Sequence, residues 1–137
     1  MKIENIKFKA KRLDNGEWII GSFVVMKIPA LSKTTIGIVA AYGATLHEID
    51  PSTVFKFTGL KDRNGVEVFE NDIVKTVDWE EKICNVEYKN YGFCLCGKCF
   101  RDGIIPLFVA VDNCDIYVVG NKFDKEKVAY ENANRIE

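Results

Sequence analysis

The sequence predicts an all-β protein, a small antiparallel β-sheet or barrel followed by a short C-terminal helical tail. Three observations carry this. Clusters of Asp, Asn, Gly and Pro recur along the chain and bound short segments rich in Val, Ile, Thr and Phe. Hairpins at that spacing favour an antiparallel sheet over any βαβ arrangement. Only residues 124 to 136 carry a helical pattern, with Val128, Ala129 and Ile136 as a weak apolar face and charges that cancel. The 137 residues form one domain, 1–137. At that length folding buries roughly two thirds of the unfolded surface, so a core forms without staples.

The elements follow in order. Phe8-Lys9-Ala10-Lys11-Arg12 alternates, and Asp14-Asn15-Gly16 turns the chain with residues that tolerate positive φ. Trp18 to Met26 is the returning strand, broken at Ile28-Pro29. Thr34 to Ala41 is β-branched and apolar, a buried strand. After Asp50-Pro51-Ser52, the segment Thr53 to Thr58 sets Thr53, Phe55 and Phe57 on one face and Val54 and Lys56 on the other. Lys61 to Gly65 is the clearest turn, with Asn64-Gly65 at its tip; Val66 to Phe69 leaves it, and Glu70-Asn71-Asp72 turns again into Ile73 to Val77. Further strands are expected at Lys82 to Tyr88, Gly92 to Cys96, Leu107 to Val111 and Ile116 to Val119.

Composition excludes several classes. Hydrophobic residues make up 47% and charged residues 28%, which is globular and not disordered. Nineteen basic against twenty acidic residues give a net charge of -1, not the cationic excess of a polybasic nucleic-acid binder. The start alternates polar and apolar residues instead of forming a signal peptide's apolar run. The longest apolar stretch, Ile36 to Ala44, is nine residues with two glycines, short of the roughly twenty a membrane helix needs. A cytoplasmic protein, without a membrane partner, is the expectation. Five cysteines, an odd number, point to reduced thiols and not to a disulfide framework.

Two stretches are more specific than their physics. Thr58-Gly59-Leu60-Lys61-Asp62 with Asn64-Gly65-Val66-Glu67-Val68-Phe69-Glu70-Asn71-Asp72-Ile73-Val74-Lys75, and Val118-Val119-Gly120-Asn121 near the C-terminus, resemble the signature of the YopX family of phage and prophage proteins. Phe8-Lys9-Ala10, Gly16-Glu17-Trp18 and Asp50-Pro51-Ser52-Thr53-Val54 fit it as well, so the resemblance covers roughly residues 7 to 123. It implies a predominantly β, barrel-containing fold encoded by a phage or prophage, and no established activity. The chain departs from the pattern at Asn71, where glycine is common, and at Cys94-Leu95-Cys96-Gly97-Lys98-Cys99. The signature also has a structural explanation: Gly59 and Asn64-Gly65 set turns, Leu60, Val66, Val68, Ile73 and Val74 fill one side of a sheet, and the Asp62 and Asp72 carboxylates satisfy turn amides.

Candidate chemistry is sparse. Cys96 and Cys99 have the spacing of half a zinc site, which Cys94, Cys84 or Cys114 could complete, but a second CxxC is missing. Cys84, Cys94 and Cys96 also sit where a strand buries a small hydrophobe, and that reading is favoured over a zinc site or a redox CxxC. His47 is the only histidine and sits in an ordinary strand or turn context. Asp78, Glu80 and Glu81 form a solvated hairpin tip beside Trp79 and Lys82. Ser32-Lys33-Thr34 lacks the glycines of a phosphate loop, and neither GxGxxG nor GxSxG occurs. No catalytic, cofactor-binding or metal residue is assigned, and an enzyme is not expected. For nucleic acid, Lys7, Lys9, Lys11 and Arg12 lie near Phe8, Trp18 and Phe23, the pattern with which small β-barrels stack single-stranded bases; the alternative is an aromatic core with lysines guarding an edge strand. Nine Phe, five Tyr and two Trp favour homo-oligomerisation. Three readings follow: a non-catalytic, self-associating interaction module with a host or phage protein as further partner, a single-stranded nucleic-acid binder, and a metal or thiol protein.

Overall fold

The structure, a computed structural model, describes residues 2–40, 45–76, 82–89, 92–97, 104–113 and 115–123. The chain divides into two compact units, Met1–Phe57 and Thr58–Glu137. The expected helical tail, Trp79 with its acidic neighbours, Cys99 and Cys114 lie outside the described residues.

In the first unit β1 (Phe8–Lys11), β2 (Trp18–Ile28), β3 (Lys33–Ala40), β4 (Leu46–Glu48) and the start of β5 (Phe55–Lys61) form an antiparallel sheet in the order β4-β3-β2-β1-β5. The β1–β2 register runs from Phe8 opposite Gly21 to Lys11 opposite Trp18. The hairpin is closed by Asn15, whose Oδ1 accepts the Glu17 N–H at 2.9 Å. Alternation carries Phe8, Ala10, Ile19, Ile36 and Ile38 to one face, where Ala10, Ile38 and Ile49 are buried and Val54 packs on them. Asp50 caps the 3-10 turn Pro51–Thr53 by accepting the Ser52 N–H at 3.0 Å. Thr53 then accepts the Lys11 N–H at 2.8 Å, which aims β5 along β1. Thr53, Phe55 and Phe57, expected on one face, are all buried, and Lys56 on the other is exposed.

In the second unit β7 (Asp72–Thr76), β8 (Lys82–Lys89), β9 (Gly92–Cys96), β10 (Ile104–Pro106) and β11 (Ile116–Asn121) form an antiparallel sheet in the order β10-β9-β8-β7-β11, and β6 (Glu67–Phe69) lies beside the end of β5. Thr58 donates its hydroxyl to the Val68 carbonyl at 2.6 Å across that pair. Val68, Val74, Cys84, Val86, Leu95, Leu107, Ala110 and Ile116 make the core. Each large aliphatic side chain that this cluster removes from water contributes about 1.5–3 kcal/mol.

The all-β expectation holds, with both sheets open and no closed barrel among the described residues. One segment differs in kind: residues expected as a strand from Leu107 to Val111 form the helix α1 (Leu107–Asn113). Pro106 ends β10, and Leu107, Ala110 and Val111, spaced at i, i+3 and i+4, turn one helical face onto the core. A short apolar run has no period of its own, so packing decided between strand and helix.

Candidate functional site

The basic and aromatic residues near the N-terminus separate onto two faces. Lys9 stands opposite Ile20 on one side and Phe55 on the other, and Lys11 stands opposite Trp18, so these side chains share a face. The Phe57 N–H donates to the Lys7 carbonyl at 3.0 Å, continuing the ladder. The Lys7 ammonium lies 4.6 Å from the Phe57 ring centre, Lys9 lies 5.3 Å from that of Trp18, and Lys11 lies 5.4 Å from the same indole. Trp18 and Phe55 stack at 5.3 Å. The lysines therefore lie along aromatic surface, attracted by the ring quadrupoles.

Phe8 and Phe23 occupy the opposite face, with centroids 5.5 Å apart. Arg12 alternates onto their side, and its guanidinium is taken by Asp14. That hydrogen bond holds the Asp14 carboxyl below its ordinary range. Of the four cations grouped in the sequence, the structure brings together Lys7, Lys9 and Lys11 and separates Arg12. Of the three aromatics, only Trp18 joins the lysines. Phe55 and Phe57 complete that face from a distant stretch of the chain, but both rings are buried and offer no surface on which a base could stack.

The cysteines divide in the same way. Asn85 stands opposite Cys96 and Glu87 opposite Cys94, which puts both thiols on the face away from Cys84; Cys84 is buried in the core beside Val86 and Leu95. Cys84 therefore cannot complete a ligand set with them. Cys94 donates weakly to the Lys89 and Gly92 carbonyls, at 3.6 and 3.7 Å. Burial and a hydrogen bond to the Glu87 carboxylate push the Cys96 thiol up to about 11. The same hydrogen bond leads the causes that lower the Glu87 carboxyl, and Glu87, 3.2 Å from the Lys89 ammonium, raises that lysine in turn. A thiol held protonated is a poor nucleophile and a poor metal ligand. Among the described residues no three His, Cys, Asp or Glu side chains converge to hold a metal ion. His47 is an ordinary residue of β4, opposite Ile38.

The signature acids sit at the joints of the second unit. Asp62, only 8% exposed, accepts the N–H groups of Asn64 at 2.8 Å and Val66 at 2.9 Å through Oδ1, and that of Val118 at 2.9 Å through Oδ2. One carboxylate thus closes the turn and ties it to β11. Gly65 takes φ +80°, which L side chains rarely adopt. Asp72, 1% exposed, accepts the Phe69 N–H at 2.8 Å. Asn71 adopts φ +64°, the left-handed conformation that asparagine tolerates, so the turn into β7 is made without a glycine. Residues 118–121 carry a bulge between Val118 and Gly120, and Asn121 is buried with Oδ1 on the Phe123 N–H. The expected one-sided apolar row is corrected at two places. Val66 is 48% exposed, because it lies at the turn, and the adjacent Ile73 and Val74 point to opposite faces of β7.

One feature escaped the sequence reading. β1 reaches only to Gly21 on β2, and β4 covers only Gly37 to Val39 on β3. Beyond them the two strands continue as a two-stranded arm, with Ile28 opposite Lys33 at its end. Phe23, Val25, Met26 and Leu31 are exposed on it, Val25 by 51% and Leu31 by 68%. The signal was present in Phe23-Val24-Val25-Met26, four consecutive apolar residues in a strand, which present apolar groups on both faces.

No helix among the described residues is long and apolar enough to cross a membrane. No curated protein and no solved structure matches the chain. The family profile described as YopX protein matches residues 7–137, which takes in β1 to β11 and every joint made by Asp62, Asp72 and Asn121. By that match, over nearly its whole length, the chain belongs to the YopX family.

Proposed function

We propose that this chain is a phage- or prophage-encoded accessory protein of the bacterial cytoplasm that acts by binding, without catalysis, as a self-associating interaction module. The observation that supports this is the β2–β3 arm. A solitary two-stranded ribbon is marginal in water, and this one exposes Phe23, Val25, Met26 and Leu31. Covering such side chains returns about 1.5–3 kcal/mol for each one fully buried, so the arm gains by lying against another protein surface. Light scattering from about 1 to 100 µM, a range that spans ordinary association constants, tests it. A mass above 15.5 kDa that rises with concentration is expected; a monomer throughout overturns self-association.

A second reading, single-stranded nucleic-acid binding, is favoured by the placement of Lys7, Lys9 and Lys11 on one sheet face. Burial of Phe55 and Phe57 counts against it. Anisotropy of labelled oligonucleotides at about 50 and 200 mM salt separates the two readings: binding that weakens steeply with salt reports several neutralised phosphates. Absence of binding at the lower salt removes the nucleic-acid reading.

A further inference from the structure

We propose that the open edge of β2, residues 22–28, pairs antiparallel with the same edge of a second copy, about a two-fold axis through Val25. This rests on the self-association reading and names its surface. The edge is open among the described residues, because β3 pairs with β2 from Gly21 to Ile28 on one side, whereas β1 pairs only from Trp18 to Gly21 on the other. Unpaired N–H and C=O groups along such an edge are a template for another strand, and folded proteins ordinarily blunt it with central charges, proline or a covering loop. Here Ser22-Phe23-Val24-Val25-Met26-Lys27-Ile28 carries a single charge, next to its end, and proline comes only at Pro29.

The edge is also complementary to itself. Antiparallel pairing about Val25 sets Val25 against the partner's Val25, Val24 against the partner's Met26, and Phe23 against the partner's Lys27. No charge then meets a like charge, and each Lys27 ammonium lies within reach of an aromatic ring. Parallel pairing in register would set Lys27 against the partner's Lys27, which is unfavourable. The antiparallel arrangement joins the two sheets into one. It lines up Phe8, Phe23, Val25 and Ile36 of each copy as one apolar strip, since these four share a face. Main-chain ladder bonds supply affinity and the side-chain match supplies register, as in strand addition generally.

Cross-linking through Val25→Cys tests the register. Directly opposed residues of antiparallel strands have Cα atoms about 4.5–5.5 Å apart, within a disulfide's reach. Mild oxidation is expected to give a covalent dimer for Val25→Cys, and none beyond the wild-type background for Thr34→Cys, which lies on the far strand of the arm. Val25→Lys opposes two ammonium groups at the axis and is expected to weaken the dimer at least tenfold in light scattering, with an unchanged circular dichroism spectrum. The cross-link decides independently of how that variant folds. A wild-type dimer that Val25→Lys leaves intact, with Val25→Cys no more cross-linked than Thr34→Cys, overturns this pairing and leaves self-association through another surface. A wild-type monomer at every concentration overturns both.

Discussion

The two units of this chain use their distinctive residues differently. In the second, the acids of the family signature are buried at turns: Asp62 collects three backbone N–H groups and Asp72 collects that of Phe69, beside a core of Val, Leu, Ile, Ala and Cys. In the first, the buried cluster centres on Ala10, Ile38 and Ile49; lysines lie along aromatic rings, and an apolar hairpin runs on past its neighbouring strands. The lesson is that a well-specified motif marks where the backbone has demanding hydrogen bonds to satisfy. The less distinctive half carries the two-stranded arm, on which Phe23, Val25, Met26 and Leu31 are exposed.

The largest expected effect sharpens that contrast within the second unit. Asp62→Ala removes the acceptor of three N–H groups in a nearly buried turn, and a loss of about 3 kcal/mol in urea unfolding is expected. Asp62→Asn keeps one carbonyl oxygen and should lose about half as much; equal losses would mean that the charge and not the geometry holds the turn. In the first unit, Gly21→Ala is next. A Cβ built there falls 2.0 Å from the Val39 carbonyl oxygen, so β2 and β3 must separate, at about 1–3 kcal/mol by the usual cost of overpacking. If the comparison holds, hydrogen exchange accelerates in β2 and β3 while the amides around Asp62 keep their protection. Equal acceleration in both would break the division into two units.

A third test concerns Glu87 and Cys96. A thiol pushed up to about 11 by burial and the Glu87 carboxylate holds about a hundredfold less thiolate at neutral pH than an ordinary cysteine. The greater nucleophilicity of a more basic thiolate recovers part of this, so disulfide exchange at Cys96 should run about tenfold slower than at a free thiol. Glu87→Gln removes the charged acceptor and should speed it. The signs of the linkage are opposite for the two groups. Cys96, raised on folding, contributes stability that is complete below its ordinary value and is lost as pH rises through about 11. Glu87, depressed on folding, contributes stability that is present above the ordinary carboxylate range and lost as pH falls through its folded value. The smallest effect belongs to the first unit: Lys9→Met removes a cation from Trp18 and should cost about 0.5–1 kcal/mol in urea unfolding.

The sequence by itself determined the strand-and-turn plan. Asn15, Gly65, Asn71 and Pro51 act through their own φ angles or nearest amides, so their turns stand where the sequence puts them. It also indicated the structural task of Asp62 and Asp72, because carboxylates in turns bond amides a few residues away. Tertiary structure decided whatever depends on partners distant in the chain. The bond from Val118 to Asp62 spans 56 residues, and α1 exists because the core, not the local pattern, receives Leu107 and Ala110. Strand parity split Lys7, Lys9 and Lys11 from Arg12, while β5 brought Phe55 and Phe57 to the lysines. The open edge of β2 was settled in the same way: the apolar run was visible in the sequence, but its exposure follows from how far β1 and β4 reach. Local conformational preference acts within a few residues, whereas register and burial are properties of the whole sheet.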